Sequence, residues 1–322
     1  MGKTRAPIFP PLIINVNKPK GIGSSDVVRH FKHNLPSGFG KIGHLGTLDP
    51  FAEGVLLVAI AGASRLSNLI HESFAKTYEA EGVLGESYDT GDLTGSLIDE
   101  DSEIESRLID LDVEALNKVA KSFEGEYFQV PPYYSATKHE GVALYKLARQ
   151  GNFIKKDPVK RIVSLFEILS IERNNIRFKC EVSSGTYIRV LFEDFAKKLG
   201  TFGVLKNLKR TNIGPFSIEN CLCQKNWPIR GDDFETLLTG SSPSKGRNVC
   251  FCPGTVFSDK VFRLSEEQWE EFKNGKNVEN DTEGSNDGEV IGLYSPSGRV
   301  CALASPEGAY LKPIVRFSPF ID

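Results

Sequence analysis

The stretch KIGHLGTLDPFAEGVLLVAI, residues 41–60, places one carboxylate, Asp49, in a loop just before one of the most apolar runs of the chain. Pro50 disfavours helical backbone for the residue before it, so Asp49 takes an extended or turn conformation. Gly43, Gly46 and Gly54 permit unusual dihedrals or the close approach of another backbone. Such a loop is built to present side chains, and a presented carboxylate can act as a nucleophile. Asp-Pro is also a common turn pair, and local features alone leave that plainer reading open.

Other reactive groups are fewer. Of six cysteines, four form the C-x-C pairs Cys221/Cys223 and Cys250/Cys252. An extended C-x-C segment puts both sulfurs on one face. Zinc sites usually use C-x2-C spacing, so the expectation is that the chain holds no metal. No phosphate loop or dinucleotide fingerprint stands out, and no cofactor is expected.

The elements around these residues follow from periodicity and punctuation. GIGSSDVVRHFKHNL reads as a loop, a cap at Ser24 or Ser25, and a helix with Val27, Val28, Phe31 and Leu35 along one face. GVLLVAIAGASRLSNLI reads as a buried strand, a Gly-Ala turn and a helix, and AKTYEAEGVLG alternates like a strand. DVEALNKVAKSFEG is an amphipathic helix capped by Asp112 and closed by Gly125. VPPYYSATKHEGVALYKLARQG starts as a proline-stiffened loop and becomes a helix ending at Gly151. VKRIVSLFEILSIER and NIRFKCEVSSGTYIRVLFEDFAKKLG suggest a hairpin joined by Asn174-Asn175, then a Ser-Ser-Gly turn into a helix.

Strands and helices mix without a βαβ repeat, so the expected class is α+β with a largely antiparallel sheet flanked by helices. LLTGSSPSKGRN, residues 237–248, is the candidate linker. Beyond it, Ser265 and Gln268 form a capping-box pattern, and SPSG and SPEG turns punctuate strands of a small β-rich module. The expected division is 1–240, a linker at 241–254, and 255–322.

With 322 residues and 40% hydrophobic content the chain can bury a real core, and 39 Lys+Arg against 42 Asp+Glu give a formal net charge of -3. Overall charge therefore announces no nucleic-acid partner, although RHFKH, KKDPVKR and KNLKR are locally basic. No signal peptide or stretch of roughly 18 to 20 uncharged apolar residues is present, and a cytoplasmic protein with reduced thiols is expected.

NKPKGIGSSDVV (17–28), GHLGTLDPFAEGVL (43–56), KTYEAEGVLGESYDTGDLTG (76–95), YYSATKHEGVALYKLARQG (133–151) and SSGTYIRVLFEDFAKKLG (183–200) occur in one order along the chain. In that order and much of its spacing, the sequence resembles the TruB-type pseudouridine synthases across nearly all of residues 15–220. The resemblance implies a pseudouridine synthase fold with a PUA-like C-terminal domain. It also implies a bacterial stand-alone enzyme converting uridine 55 of the tRNA TΨC arm. The acidic insert VENDTEGSNDGE departs from the PUA-like pattern.

The resemblance assigns roles residue by residue. Asp49 matches the catalytic aspartate, which attacks C1′ of the ribose or stabilises and deprotonates a glycal-type intermediate; sequence leaves the route open. Arg189 matches the arginine that pairs with it, suited to holding a carboxylate in fixed orientation. Tyr78 matches the tyrosine that stacks on the flipped uracil and serves in removal of the C5 proton. His44 matches a histidine that positions substrate where the base leaves the stem. Lys18, Lys76 and Tyr187 match positions around the pocket, as support or RNA contacts. Leu208 matches an apolar residue facing the base, with Lys209 and Arg210 beside it as phosphate contacts. Lys138 and Arg149, with His139 and Lys146, are read as a phosphate-contacting surface continued by KKDPVKR. For each of these residues an ordinary structural role is the competing reading.

The expected partner is tRNA alone, with no membrane, no required protein and a monomeric state. Two alternatives are weighed: a guide-RNA-dependent synthase of the dyskerin type, and a non-catalytic chaperone that folds tRNA.

Overall fold

The computed structural model describes residues 9–36, 38–109, 111–230, 249–280 and 288–317. The chain divides into two units: residues 1–50, 54–70 and 215–322 form the first, and 51–53 and 71–214 the second.

In the first unit, Leu12–Lys18 and Glu53–Ile60 pair antiparallel from Leu12↔Ile60 to Lys18↔Gly54. Cys250–Phe251 pairs with the first strand at Ile13 and Ile14, and Gly43–His44 with the second at Ala59 and Val58. The run VLLVAI is buried on both faces, which explains why it is apolar without alternation. Helix Ser24–Asn34 lays Val27 and Phe31 into a core with Ile14, Val16, Leu56, Val58 and Trp227. Its cap is Gly23, one residue before the expected serines; the Asp26 carboxylate accepts the Gly23 N–H at 2.9 Å. Serine is a good cap, but Ser24 is drawn into a different hydrogen bond, described below.

The C-terminal part of this unit is a five-stranded sheet, Val261–Arg263, Ile291–Tyr294, Val300–Glu307, Tyr310–Arg316 and Val278–Glu279 in spatial order. Only its first pair is parallel. Leu264, Trp269, Phe272, Ile291, Leu293 and Leu311 build its core. Helix Glu266–Lys273 has the expected capping box: Gln268 N–H donates to Ser265 Oγ at 3.1 Å, and Ser265 N–H to Gln268 Oε1 at 3.0 Å. The turns at SPSG and SPEG close on Gly298 and Gly308. The candidate linker 237–248 and most of the acidic insert, 281–287, lie outside the described residues.

The second unit is an antiparallel sheet ordered Gly203–Ile213, Lys76–Leu84, Asn175–Val182, Val159–Glu172, Gly125–Gln129. Helix Ile188–Lys198 lies on one face. Its Phe192 ring sits where a side chain at position 82 would go: a Cβ on Gly82 would be 2.3 Å from two ring carbons. Phe166, Phe178, Phe192 and Phe195 form the aromatic centre of this face. Helix Val113–Lys121 is capped as expected, with Asp112 Oδ1 accepting the Ala115 N–H at 2.7 Å.

Two local expectations are corrected. The hairpin turn is Arg173-Asn174, not Asn174-Asn175, because Asn175 already pairs with Glu172 and Arg173 takes the left-handed conformation, φ 55°. The segment before Gly151 holds a small hairpin, Lys138–His139 with Val142–Ala143, and a helix of only five residues, Leu144–Ala148. Glu140 and Gly141, both at positive φ, turn the chain there. Among the described residues no helix is long and apolar enough to cross a membrane.

Candidate active site

The Asp49 loop is fastened on both sides. Leu48 is held by Ser24: the hydroxyl donates to Leu48 O at 2.9 Å and accepts Leu48 N–H at 2.8 Å. Pro50 O accepts Gly21 N–H at 2.8 Å and Lys18 Nζ at 3.4 Å. Lys18 is fully buried, and its ammonium also donates to Pro19 O at 2.9 Å and Ile22 O at 2.8 Å. It ties the 18–22 turn to the aspartate loop, the supporting role, where an RNA contact would need an accessible amine. Asp49 itself stays half-buried between two fixed residues. His44 lies on the short strand opposite Val58, and Leu45 N–H bonds Leu57 O at 2.9 Å. The 43–48 segment is thus anchored to the buried strand that follows Asp49.

In the second unit, Tyr78 lies on a central strand, opposite Cys180 on one side and Arg210 on the other. Directly opposite residues share a face, so Tyr78, Arg210, Lys76, Ala80 and Leu208 all point to the helix-covered side. Phe192 fills that side at Gly82; toward Lys76 it becomes polar. Lys209 points away, opposite Glu79. Lys209 and Arg210 are therefore not a basic pair on one surface: Arg210 is 1% exposed. Leu208 is buried opposite Ala80, with a bulge in its strand on either side of the 207–210 run.

Arg189 is buried near the start of helix 188–198. Its Nη2 donates to Tyr134 O at 2.9 Å, its Nη1 donates to Thr90 O, and Nη1 lies 3.9 Å from Asp92 Oδ2. Two backbone carbonyls hold the guanidinium plane, and the buried Asp92 carboxylate lies within ion-pair range of it. Asp92 is itself engaged by Thr94 through both its N–H, at 3.0 Å, and its hydroxyl. The TGDLTG segment thus positions Arg189, a role sequence reading did not give it.

Gln129 is a second positioning residue that escaped the sequence. Buried at 1% exposure, its amide accepts Tyr187 N–H at 2.7 Å and donates to Tyr187 O at 3.0 Å. Tyr187 is the residue preceding the arginine-bearing helix, and its hydroxyl lies 3.0 Å from Thr137 Oγ1. Tyr127, hydrogen-bonded to Asp194 at 2.5 Å, is pushed far above the ordinary tyrosine range by burial and then by that carboxylate. One turn beyond Arg189, burial pushes Glu193 up to about 7 despite Lys197 and Arg189.

Lys138 and Arg149 are exposed, as a phosphate-contacting surface requires; the Arg149 guanidinium lies 5.7 Å from the centre of the Tyr145 ring. Lys156 Nζ lies 3.0 Å from His139 Nδ1, drawing KKDPVKR toward this insert. The cysteines serve other ends. Cys221 Sγ, buried, donates to Asn15 Oδ1 at 3.0 Å, and Cys252 Sγ lies 3.8 Å from the Tyr294 hydroxyl. Among the described residues no group of three or more His, Cys, Asp or Glu could hold a metal ion.

Of the three catalytic candidates, Asp49 belongs to the first unit, and Tyr78 and Arg189 to the second. Residues 32–188 match the model of the TruB family pseudouridylate synthase N-terminal domain. A tRNA pseudouridine synthase B from Thermotoga petrophila is 33% identical over 301 residues, 92% of this chain and 90% of that one. Its namesake from Francisella philomiragia is 35% identical over 265 residues, 82% of each. Among solved structures, a chain of a Cbf5-Nop10-Gar1 complex shares the fold with a TM-score of 0.64, covering 96% of this chain and 85% of that chain at 22% identity.

Proposed function

Since this chain belongs to the TruB family of pseudouridylate synthases, and is thus an enzyme isomerising uridine to pseudouridine in tRNA, we propose that its target is uridine 55 of the TΨC arm. The observation that carries this reading is the similarity to tRNA pseudouridine synthases B over 82% and 92% of the chain.

In the reaction the N1–C1′ bond breaks, the base turns, and a C5–C1′ bond forms; the C5 proton is lost and N1 gains one, so nothing is consumed. Asp49 is assigned to C1′, as nucleophile or as the base acting on a glycal. The fixing of Leu48 and Pro50 supports this assignment, because a reacting carboxylate gains from a backbone that cannot drift. Tyr78 is assigned to the flipped uracil, as stacking surface and in removal of the C5 proton. Arg189 is assigned to orienting the carboxylate; the carbonyl cage around its guanidinium supports a positioning role. His44, Leu208 and Tyr187 are assigned to the extruded base and its surroundings, Lys138 and Arg149 to phosphates of the stem. Residues 1–240 are assigned to catalysis, 241–254 to a linker, and 255–322 to a PUA-like RNA-binding domain. The enzyme is read as a monomer that works in the cytoplasm on naked tRNA without a protein partner.

The test is incubation of the purified chain with an unmodified tRNA transcript in EDTA, with pseudouridine mapped by carbodiimide adducts and primer extension. One new stop at the TΨC-loop uridine is expected. No stop on well-folded tRNA would overturn the stand-alone reading.

A further inference from the structure

Beyond the assigned residues, the second unit gathers four proton-donating side chains at one end of the Lys76 strand. Lys76 Nζ donates to Ser184 Oγ at 2.6 Å, and Ser184 Oγ in turn contacts His71 Nδ1. Arg161, the last residue of KKDPVKR, donates from Nη1 to Ser184 O at 3.4 Å. Gly185, at φ 80°, lets the turn pass against this guanidinium: a Cβ there would stand 3.1 Å from Arg161 Nη2. Arg210 lies on the same sheet face as Lys76. The cluster runs from buried Lys76 to half-buried Ser184 and Arg161 and to exposed His71 and Gly185, so it opens to the surface.

The arrangement is electrostatically costly. Burial and Arg210 push the Lys76 ammonium down to about 8, and burial, Lys76, Arg210 and Arg161 lower His71. The acidic residues of the flanking strands do not relieve it: Glu79 and Glu181 alternate onto the other sheet face, where Glu181 accepts from Thr77. Cations held together at a surface opening, with a serine hydroxyl and a glycine turn among them, form a seat for an oxyanion.

We propose that His71, Ser184 and Arg161, backed by the buried Lys76, bind one backbone phosphodiester of the substrate RNA. The inference rests on the reading of this chain as a tRNA-modifying enzyme and adds a subsite to it. The phosphate accepts from Ser184 and Arg161 at the opening, and the buried Lys76, hydrogen-bonded to Ser184 from behind, adds its charge; the negative charge offsets the mutual repulsion of the cations. One such contact fixes the register of the RNA strand without reading sequence.

The test is a methylphosphonate scan of a TΨC stem-loop RNA, with Kd measured by fluorescence anisotropy for wild type and for the double variant His71→Asn, Arg161→Gln. Both substituted side chains reach solvent, and a thermal melt confirms that the variant folds. One linkage is expected to weaken wild-type binding roughly tenfold when neutralised and to have a clearly smaller effect in the variant, which keeps only Ser184 and Lys76. The variant's plot of log Kd against log salt is expected to flatten by about one unit. A linkage effect that persists unchanged in the variant, or no sensitive linkage at all, overturns the proposal. Stabilisation of wild type by inorganic phosphate with no sensitive linkage makes the anion a free one, and the RNA assignment is overturned. Pseudouridine formation by wild type on the unmodified stem-loop is followed in parallel. If it is absent, the functional reading fails; if it is present and no linkage responds, the phosphate seat alone fails.

Discussion

Replacing Lys76 by methionine isolates the cost of the buried cation. Its ammonium is pushed from 10.5 to about 8, chiefly by burial and then by Arg210. A difference of about 2.5 units at 1.36 kcal/mol each makes a penalty of about 3 kcal/mol. The sign follows from proton counting. Between about pH 8 and 10.5 the unfolded chain keeps the Lys76 proton and the folded chain releases it, so wild-type stability rises with pH in that window. Below about pH 8 both states are protonated and the full penalty stands. Lys76→Met has no such group and loses only the hydrogen bond to Ser184, about 1 kcal/mol. At about pH 7 the variant is therefore expected to be the more stable protein by about 2 kcal/mol. By about pH 10 the difference is expected to have closed to near zero, wild type having gained about 2.5 kcal/mol relative to the variant. Urea unfolding of both proteins at these two pH values measures the change, and titrating groups not coupled to Lys76 cancel in the comparison. A stability difference that does not move with pH would refute the assignment of a buried, depressed lysine.

Other perturbations test the supports of the proposed site. Ser24→Ala leaves the Leu48 N–H and carbonyl without their hydroxyl partner, and is expected to cost about 1–3 kcal/mol in urea unfolding. It should also lower kcat with little change in RNA Kd, because the loosened residue adjoins Asp49. Gly82→Ala drives a methyl into the Phe192 ring and is expected to destabilise by about 1–3 kcal/mol or more, read as a lowered Tm. Glu193→Gln removes a carboxyl raised from 4.5 to about 7. A raised acid loses its favourable contribution as pH climbs through that value, so the variant should gain roughly 2–3 kcal/mol on wild type by about pH 8 and almost nothing near pH 4.5. Equal gains at both pH values would contradict the assignment.

The elements were largely legible because periodicity and caps are local. The apolar run 53–60, the Asp112 cap and the Ser265/Gln268 box needed only neighbouring residues. What escaped was the use of polar groups inside the fold. For Lys18 the resemblance leaves support and RNA contact open, and only the fold decides: it is buried against backbone carbonyls of the turn that braces Asp49. Ser24 reads as a cap and instead clamps Leu48, more than twenty residues away along the chain. The KNLKR run looks uniformly basic, but strand pleating sends Lys209 and Arg210 to opposite faces. Gln129 had no motif at all; its importance lies in its pairing with the backbone of Tyr187, 58 positions away. The resemblance to the TruB-type synthases carried the candidate catalytic residues, whereas the residues that hold them depend on long-range contacts.

The most direct test of the account is a single-turnover assay of Asp49→Asn beside wild type on the same unmodified tRNA, with Kd measured in parallel. Loss of pseudouridine formation at the TΨC uridine, with RNA affinity within a few-fold of wild type, is the outcome expected of an essential carboxylate. Pseudouridine formed by the variant at the wild-type rate would contradict the assignment of Asp49.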